Sequence, residues 1–315
     1  MKLLNINRTL AALLIIFSGF NLIAQDDNNG DDDTESKSME KKGFHFGLFV
    51  GPYWANKSTA YLYDGHGLDA NGNQNEFTNS LIYNKIIMEY GGGYGQPDQI
   101  AAALGVDASN SGGNTWHFTA SDMPQNMHYT INFLVGLNMR YSVDKKSAIV
   151  LNVNASKLKL NGNFTITTDV NPSQNQLTPS INTFAIVGQE QRMMFQFGYN
   201  RIIGNHKRVN FFLEGGLNAT LVKFDKNFIQ INNLTIDLTT GYIPPGSGVY
   251  PYQIYFPKHI GIGFGAFASG GLNITMSPKW TVQLLYSPTY DKVNLGPTPS
   301  YKIQHACGFR GYYNF

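Results

Sequence analysis

Gly43–Trp54 reads GFHFGLFVGPYW, and its side chains alternate with a period of two. Phe44, Phe46, Leu48, Val50 and Trp54 fall on one face, and His45, Gly47, Phe49, Gly51 and Tyr53 on the other. That is the period of an extended strand, in which successive side chains point to opposite sides. One face is large and apolar, whereas the other mixes glycine, aromatic and polar residues.

The pattern recurs along the chain. In HYTINFLVGLNMRY (128–141), Tyr129, Ile131, Phe133, Val135, Leu137 and Met139 oppose Thr130, Asn132, Leu134, Gly136, Asn138 and Arg140. SAIVLNVNASKL, RMMFQFGYN, VNFFLEGGLNATL, HIGIGFGAFASGGLNITM, WTVQLLYSPTYD and YKIQHACGFRGYYNF behave alike, which makes eight strands. Short polar turns (Ser142 to Lys146, Gly204 to Lys207, Ser277 to Lys279) alternate with longer connections. These run from Thr59 to Asn126, Asn161 to Gly188, Asp225 to Pro257 and Asn294 to Pro299.

An even strand number with brief turns at one end and extended loops at the other is the pattern of a bacterial outer-membrane barrel. The fold expected is therefore all-β: an eight-stranded antiparallel up-and-down transmembrane barrel over 43–315, with long extracellular loops, the first containing short helices. A soluble sandwich would carry Lys, Glu and Thr on its polar faces, where these strands carry Gly, Asn, Gln and Ser. Trp54, Tyr129, Tyr141, Trp280, Tyr286, Tyr290, Tyr301 and Tyr313 stand towards strand ends, as in an interfacial aromatic girdle.

Composition agrees. Charged residues are 14%, against about 25% in ordinary soluble domains, while Gly (33), Phe (21) and Tyr (18) are abundant. At the N-terminus, Lys2 and Arg8 precede an apolar run from Leu10 to Phe17 and a small residue, Ala24, which reads as a secretory signal over 1–24. Residues 25–42, QDDNNGDDDTESKSMEKK, read as a disordered acidic periplasmic tether. The spacing of Asp27, Asn29, Gly30 and Asp31 lacks the downstream glutamate of a calcium loop and reads as solvated linker. Loss of Lys2 and Arg8 leaves a mature chain without net charge, so nucleic acid is not an expected partner. Cys307, the only cysteine, excludes an intramolecular disulfide.

Arg140, Arg192, Glu214, Asp291, Lys302 and Arg310 take the polar phase of their strands. A charge inside a narrow lumen persists only when paired, so Glu214 is expected to bridge Arg310 or Arg140, forming with Arg192 a structural charge cluster. His128, His259, Ser121 and Asp122 are the candidates for a lipid-modifying site, but no nucleophile is tied to a base by spacing, so no catalytic residues are assigned. The histidines form no ligand pair, GIGFGA sits inside a strand, and neither a metal nor a cofactor is expected. In the long first connection, Phe77, Leu81, Ile82, Ile86 and Tyr90 form a helical stripe ended by Gly91 to Gly93, and PDQIAAAL reads as a second short helix with Pro97 in its first turn. The stripe must cover the chain's own barrel or dock on a partner.

The signal ending in Ile-Ala-Gln, GFHFGLFVGPYW, the Glu-Gly-Gly of NFFLEGGLNATL and the aromatic terminus resemble small outer-membrane barrels of Bacteroidota, the group that includes the PorT family linked to type IX secretion. The resemblance implies a non-enzymatic subunit beside a larger secretion, gliding, uptake or barrel-assembly complex. It further implies Phe315 as the signal read by the assembly machinery. The barrel pattern itself puts outer-membrane lipid around the chain and both termini in the periplasm. A lipid-modifying enzyme and a small-solute channel are the competing expectations.

Overall fold

A computed structural model describes residues 43–69, 71–93, 95–106, 115–169, 178–206, 208–239 and 260–314. The expected signal and tether, the connection 240–259 with His259, and Phe315 lie outside these residues.

In chain order the strands are β1 (Gly43–Trp54), β2 (Trp116–His117), β3 (His128–Tyr129), β4 (Asn132–Ser142), β5 (Ser147–Thr168) and β6 (Ser180–Ile203). They continue with β7 (Val209–Ile231), β8 (Leu234–Asp237), β9 (Ile260–Ser277), β10 (Trp280–Lys292) and β11 (Tyr301–Asn314). Eight close a ring in which β1, β4, β5, β6, β7, β9, β10 and β11 each pair antiparallel with the next, and β11 returns to β1 with Leu48 opposite Gly311. The ring is thus an up-and-down barrel whose main-chain donors and acceptors meet partners on both sides, leaving no open edge. Tight turns serve one end. At Ser142–Ser147, Asp144 accepts from the Lys146 and Ser147 amides at 2.7 and 2.8 Å, and these bonds, the Lys146 amide foremost, hold its carboxyl below the usual range.

Around this ring the apolar phase faces out, as the alternation predicts. Phe46, Leu48, Phe133, Leu137, Phe211 and Leu217 are exposed, whereas Asn138, Asn152, Gln196, Asn218 and Gln283 are buried in the lumen.

The structure departs from expectation at the loop end. Much of Asn161 to Gly188 is strand, not loop, because β5 runs 22 residues and β6 24; β7 likewise runs 23 and continues into β8. Strands of this length reach roughly 70 Å, whereas β1 and β4, with 12 and 11 residues, stop at the barrel rim. The projecting sheet protects its own edges, since β2 and β3 pair with β5 on one side and β8 pairs with β7 on the other. A two-residue turn, Asn232-Asn233, joins β7 to β8, with Asn232 at φ 51°, a conformation asparagine adopts readily.

At one height the outward face of all three long strands turns polar, and on β5 and β7 the inward face turns apolar. On β5, outward Ile149, Leu151 and Val153 give way to outward Lys157, Lys159 and Asn163, while inward Asn152 and Asn154 give way to Leu158, Leu160, Phe164 and Ile166. On β7, outward Leu213 and Leu217 are followed by Lys223 and Lys226, and inward Glu214 and Asn218 by Val222, Phe224, Ile229 and Ile231. On β6 the outward series passes from Phe197 and Phe195 to Gln191 and Gln189.

The first connection folds onto this inward apolar face. Phe77–Asn79 is a 3-10 turn, Leu81–Tyr83 one α-turn and Asn84–Glu89 a π-helix, so the expected stripe exists on a helical path that is not one regular helix. Gln99–Leu104 is α-helical with Asp98 as N-cap, which puts Pro97 before the cap and not in the first turn. Asp98 accepts the Ala101 amide at 2.8 Å and the Trp116 indole N–H at 2.9 Å, and Asn232 donates to the Ala103 carbonyl at 2.7 Å. Ile82, Ile86, Ile100 and Trp116 pack with Phe164, Ile166, Ile186 and Ile229 into a buried vault. The stripe expected as a capping or partner surface therefore caps: Leu81, Ile82 and Ile86 are buried, with Phe77 and Tyr90 packed partly buried beside them.

Replacing Phe164 by Ala should cost about 3–5 kcal/mol by leaving a cavity in this vault. Limited proteolysis is expected to cut the variant within 77–106 while the barrel remains intact.

Candidate functional site

The lumen carries three arginines and three carboxylates among the described buried residues: Arg140, Arg192, Arg310, Glu190, Glu214 and Asp291. The lumen is thereby balanced in formal charge. Strands from around the ring place these groups in two tiers.

The tier nearer the tight turns is built on Glu214 of β7 and Arg310 of β11. Arg310 donates from Nη1 to Glu214 Oε2 at 2.7 Å and from Nη2 to Oε1 at 3.4 Å, a two-pronged contact that suits the planar guanidinium. Asn152 and Asn200 complete the carboxylate with bonds of 2.8 and 3.2 Å, and Arg310 Nη1 also reaches the Tyr312 hydroxyl at 3.3 Å. Glu214 thus pairs with Arg310 and not with Arg140, whose guanidinium lies 4.6 Å over the Tyr312 ring. Below them His45 bridges Asn314 at 2.7 Å and Ser142 at 3.0 Å, closing the turn end.

In the tier nearer the vault, Arg192 donates from Nε to Glu190 Oε1 at 2.6 Å. The other oxygen of Glu190 accepts the hydroxyls of Tyr63 and Tyr129, both at 2.9 Å. Arg192 further donates to the Tyr53 hydroxyl at 3.2 Å, Gln304 Oε1 at 3.3 Å and the Tyr129 hydroxyl at 3.3 Å. Asp291 accepts from Thr220 at 2.5 Å and Asn218 at 3.3 Å. Between the tiers Phe49, Leu134, Met194, Leu285 and Ala306 leave a void of about 10 Å³, at or below the room one water needs.

Sequence periodicity placed Arg140, Arg192, Glu214, Asp291 and Arg310 inside, and all five are buried. Lys302 is exposed near the start of β11 and takes no part. Tyr129 was expected on the outer face, but it points inward. From Leu134 opposite Ser156 to Tyr129 opposite Leu160, β4 and β3 advance five residues while β5 advances four, and the slip flips the side chain. Glu190 and Tyr63 were not anticipated. Tyr63 belongs to the 3-10 helix Lys57–Tyr63, whose Ala60 and Leu62 sink into the barrel mouth against Leu160, Val222 and Phe224. A Cβ on Gly188 would collide with the Tyr63 ring, so this glycine is the slot through which the tyrosine reaches Glu190.

Of the residues weighed for lipid chemistry, the described ones, Ser121, Asp122 and His128, serve as turn supports. Asp122 accepts the Thr119 amide at 2.8 Å and the Thr165 hydroxyl, Ser121 bonds Thr119 at 2.8 Å, and His128 Nδ1 bonds the Asn126 carbonyl at 2.8 Å. Among the described residues no hydrogen bond joins His128 to Ser121 or Asp122, and no group of His, Cys, Asp and Glu has metal-binding geometry.

No family model and no curated protein matches this chain. Among solved structures it is similar to Ail, the attachment invasion locus protein of Yersinia pestis, at 8% identity and TM-score 0.33, covering 87% of this chain and 100% of that one. It is also similar to the outer membrane protein OprG from Pseudomonas aeruginosa, at 8% identity and TM-score 0.36, covering 87% and 98%. The outer membrane protein AlkL follows at 10% identity and TM-score 0.27, covering 91% and 94%. Likenesses this slight carry no weight of their own; the barrel is read from its strand pairings.

Converting Glu214 to Gln keeps the shape and strands the Arg310 charge, which should cost about 3–5 kcal/mol in urea unfolding. Adding Arg310→Met to Glu214→Gln should restore a large part of that loss, because the orphaned charge is gone. Gly188→Ala should displace Tyr63 from its slot and render Lys57–Tyr63 sensitive to protease.

Proposed function

We propose that this chain is an integral barrel of a bacterial outer membrane, sealed along its lumen, that acts as a non-enzymatic structural or accessory subunit of a larger envelope complex. The inversion of polarity on β5, β6 and β7 carries the membrane reading. An apolar outer face suits hydrocarbon below the inversion, and a lysine, asparagine and glutamine face suits water above it. Exposed Trp54, Tyr141, Trp280, Tyr286, Tyr290 and Tyr301 suit the two headgroup boundaries. The tight turns and both ends of the ring then lie on the periplasmic side, and the vault stands outside the cell.

Sealing supports a structural role over a channel, because among the described residues paired charges, an apolar layer and the buried vault follow one another along the lumen. Ser121, Asp122 and His128 are engaged as caps and turn supports, which favours the non-enzymatic reading. The Bacteroidota and PorT-like resemblance, with secretion, gliding, uptake or barrel assembly, names the complexes to test first. With the apolar stripe spent on the vault, contact with a partner falls to the outer surface of the projecting sheet.

Refolded into phosphatidylcholine vesicles, the chain should migrate as a heat-modifiable species in gels. Leu137→Arg, on the outward belt, should lose about 2–4 kcal/mol, and Asn163→Arg above the inversion less than about 1; equal costs would overturn the membrane assignment. Planar bilayers should show no discrete conductance, and stable single-channel steps would overturn the sealed lumen. Solubilised native membranes should release the chain in a particle larger than the free barrel, and release as the free barrel would refute the accessory role.

A further inference from the structure

The outer wall of the barrel is not evenly covered. Where β4 to β7 cross the inversion, the row Val135, Ala155, Met193 and Leu221 is made of registered neighbours. The single methyl of Ala155 leaves a dip beneath Phe133, and a groove of about 490 Å³ opens there. Its sides are apolar. Its upper rim is Lys157, Gln191 and Lys223, which face one another across three adjacent strands, and the next row up repeats the arrangement with Lys159, Gln189 and Lys226.

Four lysines on one small face repel one another. The acid the structure sets among them is Asp225, the extra residue of a bulge in β7, whose Oδ2 lies 3.4 Å from both Lys157 Nζ and Gln191 Nε2. Glu190, next to Gln191 in sequence, points into the lumen, so among the described residues Asp225 alone is set against the four lysines and the face keeps a net positive charge. Lys157 and Lys223 stand two strand spacings apart, roughly 10 Å, which lets two flexible ammonium groups converge on one tetrahedral anion over Gln191. Directly below that point lies the apolar groove.

We infer that Lys157, Gln191 and Lys223, with Lys159 and Lys226 behind them, form a binding site for the phosphate of an anionic lipid whose acyl chain lies in the Ala155 groove. The inference rests on the membrane reading above. The apolar groove under the cations selects a lipid over a free phosphate ion, which has nothing to place there.

The test uses the full chain in neutral detergent and native mass spectrometry. Dioleoyl phosphatidic acid should be retained at least about tenfold better than dioleoyl phosphatidylcholine, a difference of about 1.4 kcal/mol. That preference should vanish in Lys157→Gln/Lys223→Gln, and excess inorganic phosphate should not displace the lipid. Ala155→Trp, which fills the groove and spares the lysines, should weaken retention of the long-chain lipid. Equal retention of the two lipids by the unaltered chain, an undiminished preference in the double lysine variant, or full displacement by inorganic phosphate would each overturn the site. Heat-modifiable migration of every variant in phosphatidylcholine vesicles separates the outcomes: a chain that fails to insert refutes the membrane reading, and one that inserts without preference refutes only the lipid site.

Discussion

The pairing of β1 with β11 governs the rest of the molecule. It joins the first described strand to the last and removes the only edge at which the sheet could have stayed open. Once eight strands are closed, the interior is just wide enough for side chains, and every second residue must enter it. A luminal arginine therefore has no bulk water to fall back on. It must find a carboxylate, a ring face or an amide within a few ångströms, and Arg310, Arg140 and Arg192 do so with Glu214, Tyr312 and Glu190.

Such pairs are weak evidence of net stabilisation, because desolvation offsets much of their attraction. Their consequence is specificity. A fork between Arg310 and Glu214 can form only when β7 and β11 hold one particular stagger across the barrel, and Glu190 can accept two tyrosine hydroxyls only when Lys57–Tyr63 is seated in the mouth. The lumen thus holds the ring in register and ties the first connection down, while the vault above it has no polar task. Ile82, Ile86 and Ile100 simply replace, on the inner face of the projecting sheet, the water that β5 to β7 would otherwise meet.

Alternation made the barrel legible because a period of two does not depend on which strand is the neighbour. The same rule held the answer at the loop end. In NVNASKLKLNGNF, Leu158 and Leu160 occupy the phase that Asn152 and Asn154 hold a few residues earlier, so the face changes polarity without a break in the strand. Asn161-Gly-Asn163 resembles turn chemistry, and that local signal masked the continuing strand. Propensity lost there to cross-strand pairing, since β6 lies opposite β5 through Thr168 and β2 covers the end.

The sequence by itself determined the two faces of each strand, the closed ring they imply and five of the six buried luminal charges, because burial on one side of a strand is written in every second residue. Only the tertiary structure decided which charges meet. The choice of Arg310 over Arg140 for Glu214 depends on barrel stagger, and the inward turn of Tyr129 depends on a one-residue slip against β5. The union of Tyr63 with Glu190, 127 positions away, depends on a glycine in β6 that admits the ring. Each is a relation between segments far apart in the chain, and no local pattern of residue types contains it.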